Sequence, residues 1–270
     1  ITGTNFTGAT AVAFGATAAA GFTVDSATQI TATSPAGSGT VDVRVTTAGG
    51  VSATSTADEF TYVAAPTVSS VSPATGPEAG GTSVTITGTN FTGATAVAFG
   101  ATAAAGFTVD SATQITATSP AGSGTVDVRV TTVGGVSVTS AADEFTYVAA
   151  PTVSSVSPAT GPAAGGTSVT ITGTNFTGAT AVAFGATAAA GFTVDSATQI
   201  TATSPAGSGT VDVRVTTVGG VSVTSAADEF TYVAAPTVSS VSPATGPAAG
   251  GTSVTITGTN FTGATAVAFG

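Results

Sequence analysis

The stretch that decides the fold is Gly80-Gly81-Thr82-Ser83-Val84-Thr85-Ile86-Thr87-Gly88-Thr89-Asn90-Phe91. Its paired glycines predict a turn, and Val84 and Ile86 alternate with polar residues, which is the pattern of a half-buried strand. Phe91 follows as the expected core anchor. The tail of the stretch, Ile-Thr-Gly-Thr-Asn-Phe-Thr-Gly, begins at Ile1, Ile86, Ile171 and Ile256. The chain therefore repeats with a period of 85 residues.

The repeat divides the 270 residues into four sequence periods. The predicted domains are residues 1–65 (partial, without the first strand), 66–150 (complete), 151–235 (complete) and 236–270 (the opening part of a fourth). The two complete periods differ only at Glu78 against Ala163. A unit of 85 residues is long enough to bury its own core, so tandem domains are expected rather than the turns of a solenoid.

Both ends of the sequence fall inside a period. A cut domain leaves sheet edges unpaired, so we expect these residues to be a window on a longer array. The alternative is head-to-tail strand donation, in which residues 236–255 of one chain complete residues 1–65 of the next. This alternative fits less well, because residues 256–270 would then duplicate residues 1–15.

The residue inventory excludes much catalytic chemistry. The chain contains no Cys, His, Met, Trp, Lys or Leu. Disulfides, thiolate or imidazole metal sites, histidine bases and lysine nucleophiles are therefore excluded, as is a lysine-to-asparagine crosslink. We predict that the protein is not an enzyme and needs no cofactor.

The charge balance argues against two classes of partner. The formal net charge is −10, with 13 acidic residues against Arg44, Arg129 and Arg214. Phosphate groups are bound by clustered Lys and Arg, so nucleic acid and anionic membranes are disfavoured. Apolar runs are short and interrupted by Thr, Ser and Gly, which predicts no membrane insertion.

Apolar residues within residues 66–150 alternate with polar ones, as in strands. Val126 and Val130 alternate with Asp127 and Arg129, and Gly134-Gly135 predicts a hairpin turn into Val136 and Val138. The aromatic residues expected at mostly inward positions are Phe91, Phe99, Phe107, Phe145 and Tyr147. About seven short strands per period predict an all-β, two-sheet sandwich. The alanine run 101–105 is too short for a stable helix.

The connection between periods, Val148-Ala149-Ala150-Pro151-Thr152, is short and contains a proline. Because proline fixes its own φ and few residues separate the flanking strands, the joint is expected to be stiff. An extended rod is the predicted arrangement, with an advance of about 30–45 Å per period.

Several motifs occur together and in order in the second period. They are Pro66-Thr67-Val68-Ser69-Ser70-Val71-Ser72-Pro73, Gly76-Pro77, Gly80-Gly81-Thr82, Val84-Thr85-Ile86, Gly88-Thr89-Asn90-Phe91 and Phe145-Thr146-Tyr147. In these motifs the chain resembles the IPT/TIG family of immunoglobulin-like domains. The resemblance implies an immunoglobulin-like sandwich, found in tandem in bacterial surface proteins, plexin-type receptors and Rel-type transcription factors, and beside carbohydrate-active domains. The chain lacks the basic loops of the transcription factors and the cysteines of the receptors, which leaves the microbial surface arrays.

Four asparagines lie in glycosylation sequons of the form Asn-Phe-Thr. They are Asn5, Asn90, Asn175 and Asn260. The structural alternative is that each asparagine caps or turns the backbone while the following phenylalanine anchors the core. We favour this alternative because the sequon is short and occurs by chance.

Acidic pairs lie close to each expected joint, where calcium would stiffen a rod. The pairs are Asp58-Glu59, Asp143-Glu144 and Asp228-Glu229. Calcium takes six to eight oxygen ligands, and each period offers few carboxylates. A solvated acidic turn is therefore the favoured interpretation.

Two further patterns have simple structural explanations. Gly80-Gly81 and Gly134-Gly135 are predicted turns rather than phosphate-binding loops, because no Lys follows and no helix begins after them. Arg129 beside Asp127 predicts at most an exposed ion pair, which contributes about 0–1 kcal/mol.

These observations favour a structural function. Near-identical units indicate stalk repeats of a long extracellular microbial fibre or giant surface adhesin, whose role is reach and stiffness. Faces rich in Thr and Ser with few charges leave lateral association open, so the expected partners are neighbouring copies of the same repeat or fibre. The alternative is a multivalent module that binds cell-surface glycans or receptors. Regions of the protein outside this window are further candidates for such binding. In both cases the expected location is extracellular or at the cell surface.

Overall fold

The structure is a computed structural model that describes residues 1–270, and it is entirely β. It contains 29 strands and no helix, so no helix is long and apolar enough to cross a membrane. The predicted fold class is confirmed, including the absence of a helix at residues 101–105.

The strands recur in the same order in successive periods. The first period contains β1 (Ala11–Phe14), β2 (Thr17–Ala18), β3 (Gly21–Ser26), β4 (Gln29–Thr33), β5 (Gly39–Thr47), β6 (Gly50–Val51) and β7 (Glu59–Tyr62). The second contains β8 (Thr67–Ser72), β9 (Thr75–Pro77), β10 (Ser83–Thr89), β11 (Ala96–Phe99), β12 (Thr102–Ala103), β13 (Gly106–Ser111), β14 (Gln114–Thr118), β15 (Gly124–Thr132), β16 (Gly135–Val136) and β17 (Glu144–Val148). The third contains β18 (Thr152–Ser157), β19 (Thr160–Pro162), β20 (Ser168–Thr174), β21 (Ala181–Phe184), β22 (Thr187–Ala188), β23 (Gly191–Ser196), β24 (Gln199–Thr203), β25 (Gly209–Thr217), β26 (Gly220–Val221) and β27 (Glu229–Val233). The fourth contains β28 (Thr237–Ser242) and β29 (Thr255–Thr259).

The chain separates into two compact units. The first comprises Ile1–Ala74, Ser83–Pro120 and Val126–Phe145. The second comprises Thr75–Thr82, Ala121–Thr125 and Thr146–Gly270. The third period lies wholly within the second unit.

The third period is a two-sheet sandwich. Its four-stranded sheet has the order β18-β20-β24-β23, and its other sheet has the order β19-β27-β25-β21-β22 with β26 paired to β25. The two sheets pack face to face over one apolar core. The buried core residues are Val153, Val156, Val169, Ile171, Phe176, Val182, Phe184, Ile200, Ala202, Val213, Val215, Phe230 and Tyr232.

Apolar residues that alternate with polar ones along the strands face the core, as the sequence predicts. Val169 and Ile171 of β20 are fully buried, whereas Thr172 between Ile171 and Gly173 is exposed. In the second period, Val84, Ile86 and the anchor Phe91 are fully buried, which confirms the prediction for the opening stretch.

Three expectations from the sequence are wrong. Phe107 is 36% exposed, because β13 is the edge strand of its sheet and has a neighbour on only one side. Val136 and Val138 were expected to share a strand, but β16 ends at Val136 and Val138 is 74% exposed. The third period also contains ten strands rather than about seven, because its two- and three-residue strands carry no alternation signal.

The first and fourth periods contain fewer strands and bury their apolar residues less. Phe60 is 37% exposed, whereas its counterpart Phe230 is fully buried. Val238 is 62% exposed, whereas its counterpart Val153 is 8% exposed. The first period keeps a smaller core of six buried residues, so complete burial needs the strands that open a period.

Candidate functional site

The connection between periods is the candidate functional site, and it is short. Strand β7 ends at Tyr62 and β8 begins at Thr67, while β17 ends at Val148 and β18 begins at Thr152. Each connection is called a joint below. Its backbone is held by side chains and turns of the period that follows.

The sequon asparagine of the second, third and fourth periods donates a hydrogen bond to the carbonyl that precedes the proline of the joint. Asn90 adopts a left-handed φ of 60° and its Nδ2 donates a hydrogen bond to the Ala65 carbonyl oxygen at 3.1 Å. The same bond joins Asn175 to Ala150 at 3.0 Å and Asn260 to Ala235 at 3.1 Å. Asparagine is among the few non-glycine residues that adopt this conformation readily. The predicted turn role of these asparagines is therefore confirmed.

A glycine two residues before the asparagine allows the first strand of the period to pack directly against its backbone. A Cβ added at Gly88 would lie 1.8 Å from the Thr67 carbonyl oxygen and 2.6 Å from the ring of Phe91. No real side chain tolerates such a contact with backbone. The Gly-Thr-Asn-Phe motif therefore fixes both the core anchor and the start of the next sheet.

The glycine-rich hairpin of each complete period forms the other side of the joint. A Cβ added at Gly134 would lie 2.3 Å from the Ala64 carbonyl oxygen, and one added at Gly219 would lie 2.2 Å from that of Ala149. Within the turn, the Gly134 N–H donates to Thr132 Oγ1 at 3.2 Å. Of two successive linker carbonyls, the first is thus closely approached by a glycine, and the second accepts a hydrogen bond from an asparagine.

Polar side chains beneath the hairpin are buried in both complete periods. Thr132 is 5% exposed, and Ser137 is fully buried with its Oγ accepting from the Val130 N–H at 3.1 Å. In the first period, the corresponding Thr47 and Ser52 are only half-buried. The joint consists of backbone and neutral polar groups, which can position the strands on either side of it.

The four sequon asparagines are exposed on the surface. They are Asn5, Asn90, Asn175 and Asn260. Three of them use Nδ2 in the joint. Glycosylation at these positions stays a prediction.

The acidic pairs divide between core and solvent. Asp143 and Asp228 are fully buried, so the expected solvated turn is wrong for these two residues. Asp143 Oδ1 accepts from the Ser140 N–H at 2.8 Å and from its hydroxyl at 3.4 Å, and the carboxyl thereby caps the loop before β17. Glu144 and Glu229 are exposed.

No group of three or more acidic residues lies close enough together to hold a metal ion. Each Asp-Glu pair contributes one inward and one outward side chain in the complete periods, as alternation along a strand requires. Calcium binding at Asp58, Glu59, Asp143, Glu144, Asp228 and Glu229 stays a prediction.

Asp58, the first-period counterpart, is half-buried. Burial opposes its ionisation, but the Ser55 hydroxyl and backbone N–H donate to its Oδ1 at 2.9 and 2.6 Å. These bonds, with its own amide and the Arg44 guanidinium, outweigh burial and lower the pKa of this carboxyl. The Arg44 side chain also donates to the Ser52 carbonyl oxygen at 3.2 Å.

Both glycine pairs are turns, as predicted. Gly80 and Gly81 have φ values of 78° and 84°, and the Gly80 N–H donates to the Pro77 carbonyl at 2.9 Å. Gly135 has a φ of 121°. In the second pair only Gly135 has a left-handed φ, so Gly134 is required for the close approach of the linker.

Comparison with known proteins identifies one family. A sequence model of the IPT/TIG domain matches residues 1–62, 66–147, 151–232 and 236–270. No curated protein sequence matches the chain significantly.

Several solved structures are similar at low identity. The plexin A4 extracellular region with domains 1 to 10 is 19% identical, and the match covers 82% of this chain and 25% of that one with a TM-score of 0.42. The Escherichia coli adhesin FdeC is 18% identical, with 87% of each chain covered and a TM-score of 0.33. The Bacteroides ovatus protein SGBP-B in complex with a mixed-linkage heptasaccharide is 18% identical, with coverage of 84% and 60% and a TM-score of 0.28.

These TM-scores are too low to identify a shared arrangement of whole chains. The chain also spans less than a third of the two plexin A4 regions that it matches, 29% and 25%. The family assignment depends instead on four tandem sequence matches that cover nearly every residue. The chain belongs to the IPT/TIG domain family.

Proposed function

We propose that this chain is a run of structural units in the stalk of a long extracellular fibre or giant surface adhesin of a microbe. Its role is reach and stiffness, and it is not catalytic. The units are residues 1–65, 66–150, 151–235 and 236–270. Any binding to cell-surface glycans or receptors would then be carried mainly by other regions of the protein.

The observation that carries the proposal is the repeated joint. A freely hinged array has polar, detached linkers, whereas here two adjacent carbonyls of each complete joint contact the next period. Holding successive carbonyls fixes the direction in which the next strand begins. The same geometry recurs at Ala64–Ala65 and at Ala149–Ala150, as a uniform stalk requires.

The near-identity of the units supports the same role. Residues 66–150 and 151–235 differ at one position, so neither has a site that the other lacks. A multivalent glycan- or receptor-binding array would also use identical units. Such sites usually present exposed aromatic rings, whereas Phe91, Phe145 and Tyr147 are buried.

Electron microscopy of the native protein tests the proposal. We expect filaments with a regular axial repeat of about 30–45 Å per period. Compact particles would contradict a stalk.

A matched pair of insertions tests the joint directly in solution. Four residues, Gly-Ser-Gly-Ser, are inserted between Ala150 and Pro151, and as a control between the exposed Ser208 and Gly209. Small-angle X-ray scattering should show a broader distribution of molecular dimensions only for the joint insertion. Equal profiles for both insertions would show that the joint does not control stiffness.

A further inference from the structure

Each of the first three periods has a six-residue edge strand with the same sequence and with one side unpaired. Strands β3, β13 and β23 have six residues each, with the sequence Gly-Phe-Thr-Val-Asp-Ser. Each pairs on one side only, with β4, β14 and β24. In the third period's other sheet, the terminal strands β19 and β22 have only three and two residues. The opposite edge of the four-stranded sheet, β18, is equally long, but Pro151 and Pro158 lie directly before and after it. The edges at β3, β13 and β23 have alanine at both ends.

The usual protections of an edge strand are weak here. Natural proteins block such edges with Lys, Pro or charges that project past the backbone. These strands contain no Lys or Pro, and Asp is the only charged residue in each. The one register shift in each strand comes after Val24, Val109 or Val194, close to the strand's end, so the first four residues pair regularly. Asp195 is directed back over the sheet, because Thr201 of the neighbouring strand donates to its Oδ2 at 2.7 Å. The same bond joins Thr31 to Asp25 and Thr116 to Asp110, both at 2.8 Å.

Apolar side chains remain exposed at this edge. Val24 and Val194 are each 39% exposed, and Phe107 is 36% exposed. A strand added alongside would cover these side chains and satisfy the outward backbone groups. Both gains come from a single event, the extension of the sheet.

We propose that β3, β13 and β23 are docking edges on which the same strand of a second copy of this chain adds in antiparallel register. With Thr193 opposite its own counterpart, Phe192 of one copy faces Val194 of the other on the core side. Gly191 then faces Asp195, so the two carboxylates are not opposite each other. The pattern is complementary to itself, in side-chain size and in charge, which is why the partner is a second copy.

Repetition strengthens the pairing. The same edge recurs every 85 residues, so two chains offer several equivalent contacts, and linked weak contacts give high avidity. This inference concerns a lateral surface and does not depend on the joint. The two proposals can fail separately, because a stiff stalk need not pair laterally and a laterally pairing chain need not be stiff.

The test adds a carboxylate at the position that, in the proposed register, faces the aspartate of the second copy. Gly21, Gly106 and Gly191 have no atom within 4 Å of an added Cβ and have no left-handed φ, so Gly→Asp at all three is compatible with the fold. Sedimentation velocity over a concentration series should show wild-type association and at least about tenfold weaker association of the variant, because like charges opposite each other destabilise a strand pair.

The control adds the same charge elsewhere. Ser38, Ser123 and Ser208 lie in exposed loops away from this edge, so Ser→Asp at all three should leave association unchanged. Gly→Lys at the three edge glycines should retain or strengthen association, since each new ammonium would face a carboxylate. A wild-type chain that stays monomeric, equal losses in both Asp variants, or a loss in the Lys variant would each overturn the proposal.

A crosslink gives a measurement that does not depend on affinity. The chain contains no cysteine, so Thr193→Cys introduces a single thiol. In the proposed register two such thiols are directly opposite, with Cβ atoms about 4.5–5.5 Å apart, close to disulfide distance. The Thr193→Cys variant should form covalent dimers several-fold faster than Ser208→Cys under mild oxidation. Equal rates would contradict the register.

Discussion

The hairpins at residues 47–50 and 217–220 have nearly the same sequence and different surroundings. In both, the first glycine donates its N–H to a threonine hydroxyl, at 3.2 Å for Gly49 and 3.1 Å for Gly219. A Cβ added at Gly219 would lie 2.2 Å from the Ala149 carbonyl, whereas one added at Gly49 would meet only Thr47 Oγ1 at 3.5 Å. The turn is therefore local, while the need for glycine at the joint comes from the preceding linker.

The same two periods differ in their cores. Phe60 and Phe230 each pack edge-to-face on a phenylalanine with ring centroids 5.2 Å apart. Phe230 is fully buried, because β19 also covers it, with a Cβ at Gly161 placed 2.8 Å from its ring. The first period has no counterpart of β18 and β19, and Phe60 is 37% exposed. The edge-to-face ring pair forms without those strands, but the phenylalanine is then no longer shielded from water.

Truncating the two phenylalanines should give the largest contrast. Phe230→Ala removes a fully buried ring and should lower the free energy of unfolding by about 3–5 kcal/mol. Phe60→Ala removes a ring that water already reaches, and should lower it by about 1–3 kcal/mol. Differential scanning calorimetry measures both losses. Equal losses would mean that the first-period core is as well packed as the third.

The second-largest contrast in stability is expected between substitutions of the two hairpin glycines. Gly219→Ala places a methyl group against the Ala149 carbonyl, so the linker must shift at a cost of about 1–3 kcal/mol. Gly49→Ala has open space and should change stability by less than about 0.5 kcal/mol.

Distances across the second joint show whether the linker moves. Spin labels at cysteines replacing the exposed Ala121 and Ser208 flank this joint, in a chain without native cysteine. Pulsed electron paramagnetic resonance should show a broader or shifted distance distribution for Gly219→Ala and no change for Gly49→Ala. An unchanged distribution in both variants would refute a positional role for Gly219.

The asparagine hydrogen bond at the joint should have a smaller effect. Asn175→Gly preserves the left-handed backbone and removes the hydrogen bond to the Ala150 carbonyl, a loss of about 0.5–1.5 kcal/mol. Asn5→Gly makes the same backbone change, at a φ of 61°, where no earlier linker carbonyl is held. Thermal unfolding should therefore distinguish the two variants. A matching effect at both positions would assign the asparagine to the turn alone.

The sequence predicted local features well. Turn glycines, the alternating Val84 and Ile86, and the anchor Phe91 are each determined by residues within a few positions, and they are found as expected. The position of Gly134 against Ala64 was not predicted, because that constraint comes from the previous period. A Gly-Gly pair looks the same whether one or both glycines are required.

The burial of Asp143 was also missed. Aspartate is exposed in most proteins, so an acidic pair predicts solvent. The available signal was Ser140, three residues earlier, whose N–H and hydroxyl both donate to Oδ1 of the buried carboxyl, while its Oδ2 is buried without a hydrogen-bond partner. Phe107 was misplaced for a related reason, since alternation gives the face of a strand and not whether that strand is an edge.

Acid dependence should give the smallest contrast and concerns the more open period. The folded-state pKa of Asp58 is lowered, so its stabilisation is present above the unfolded carboxyl pKa of about 3.9 and is lost as pH falls through the lower folded value. Calorimetry at decreasing pH below about 4 should show a shallower loss of stability for Asp58→Asn than for wild type.

The exposed neighbour provides the control for this effect. Glu59→Gln removes a carboxyl that lies in solvent, so it should leave the wild-type slope unchanged. If the slope is the same in all three proteins, the Ser55 hydrogen bonds do not favour the ionised form of Asp58. The loop before β7 would then be held by its backbone alone, in particular by the bond from the Val43 N–H to the Asp58 carbonyl at 2.7 Å.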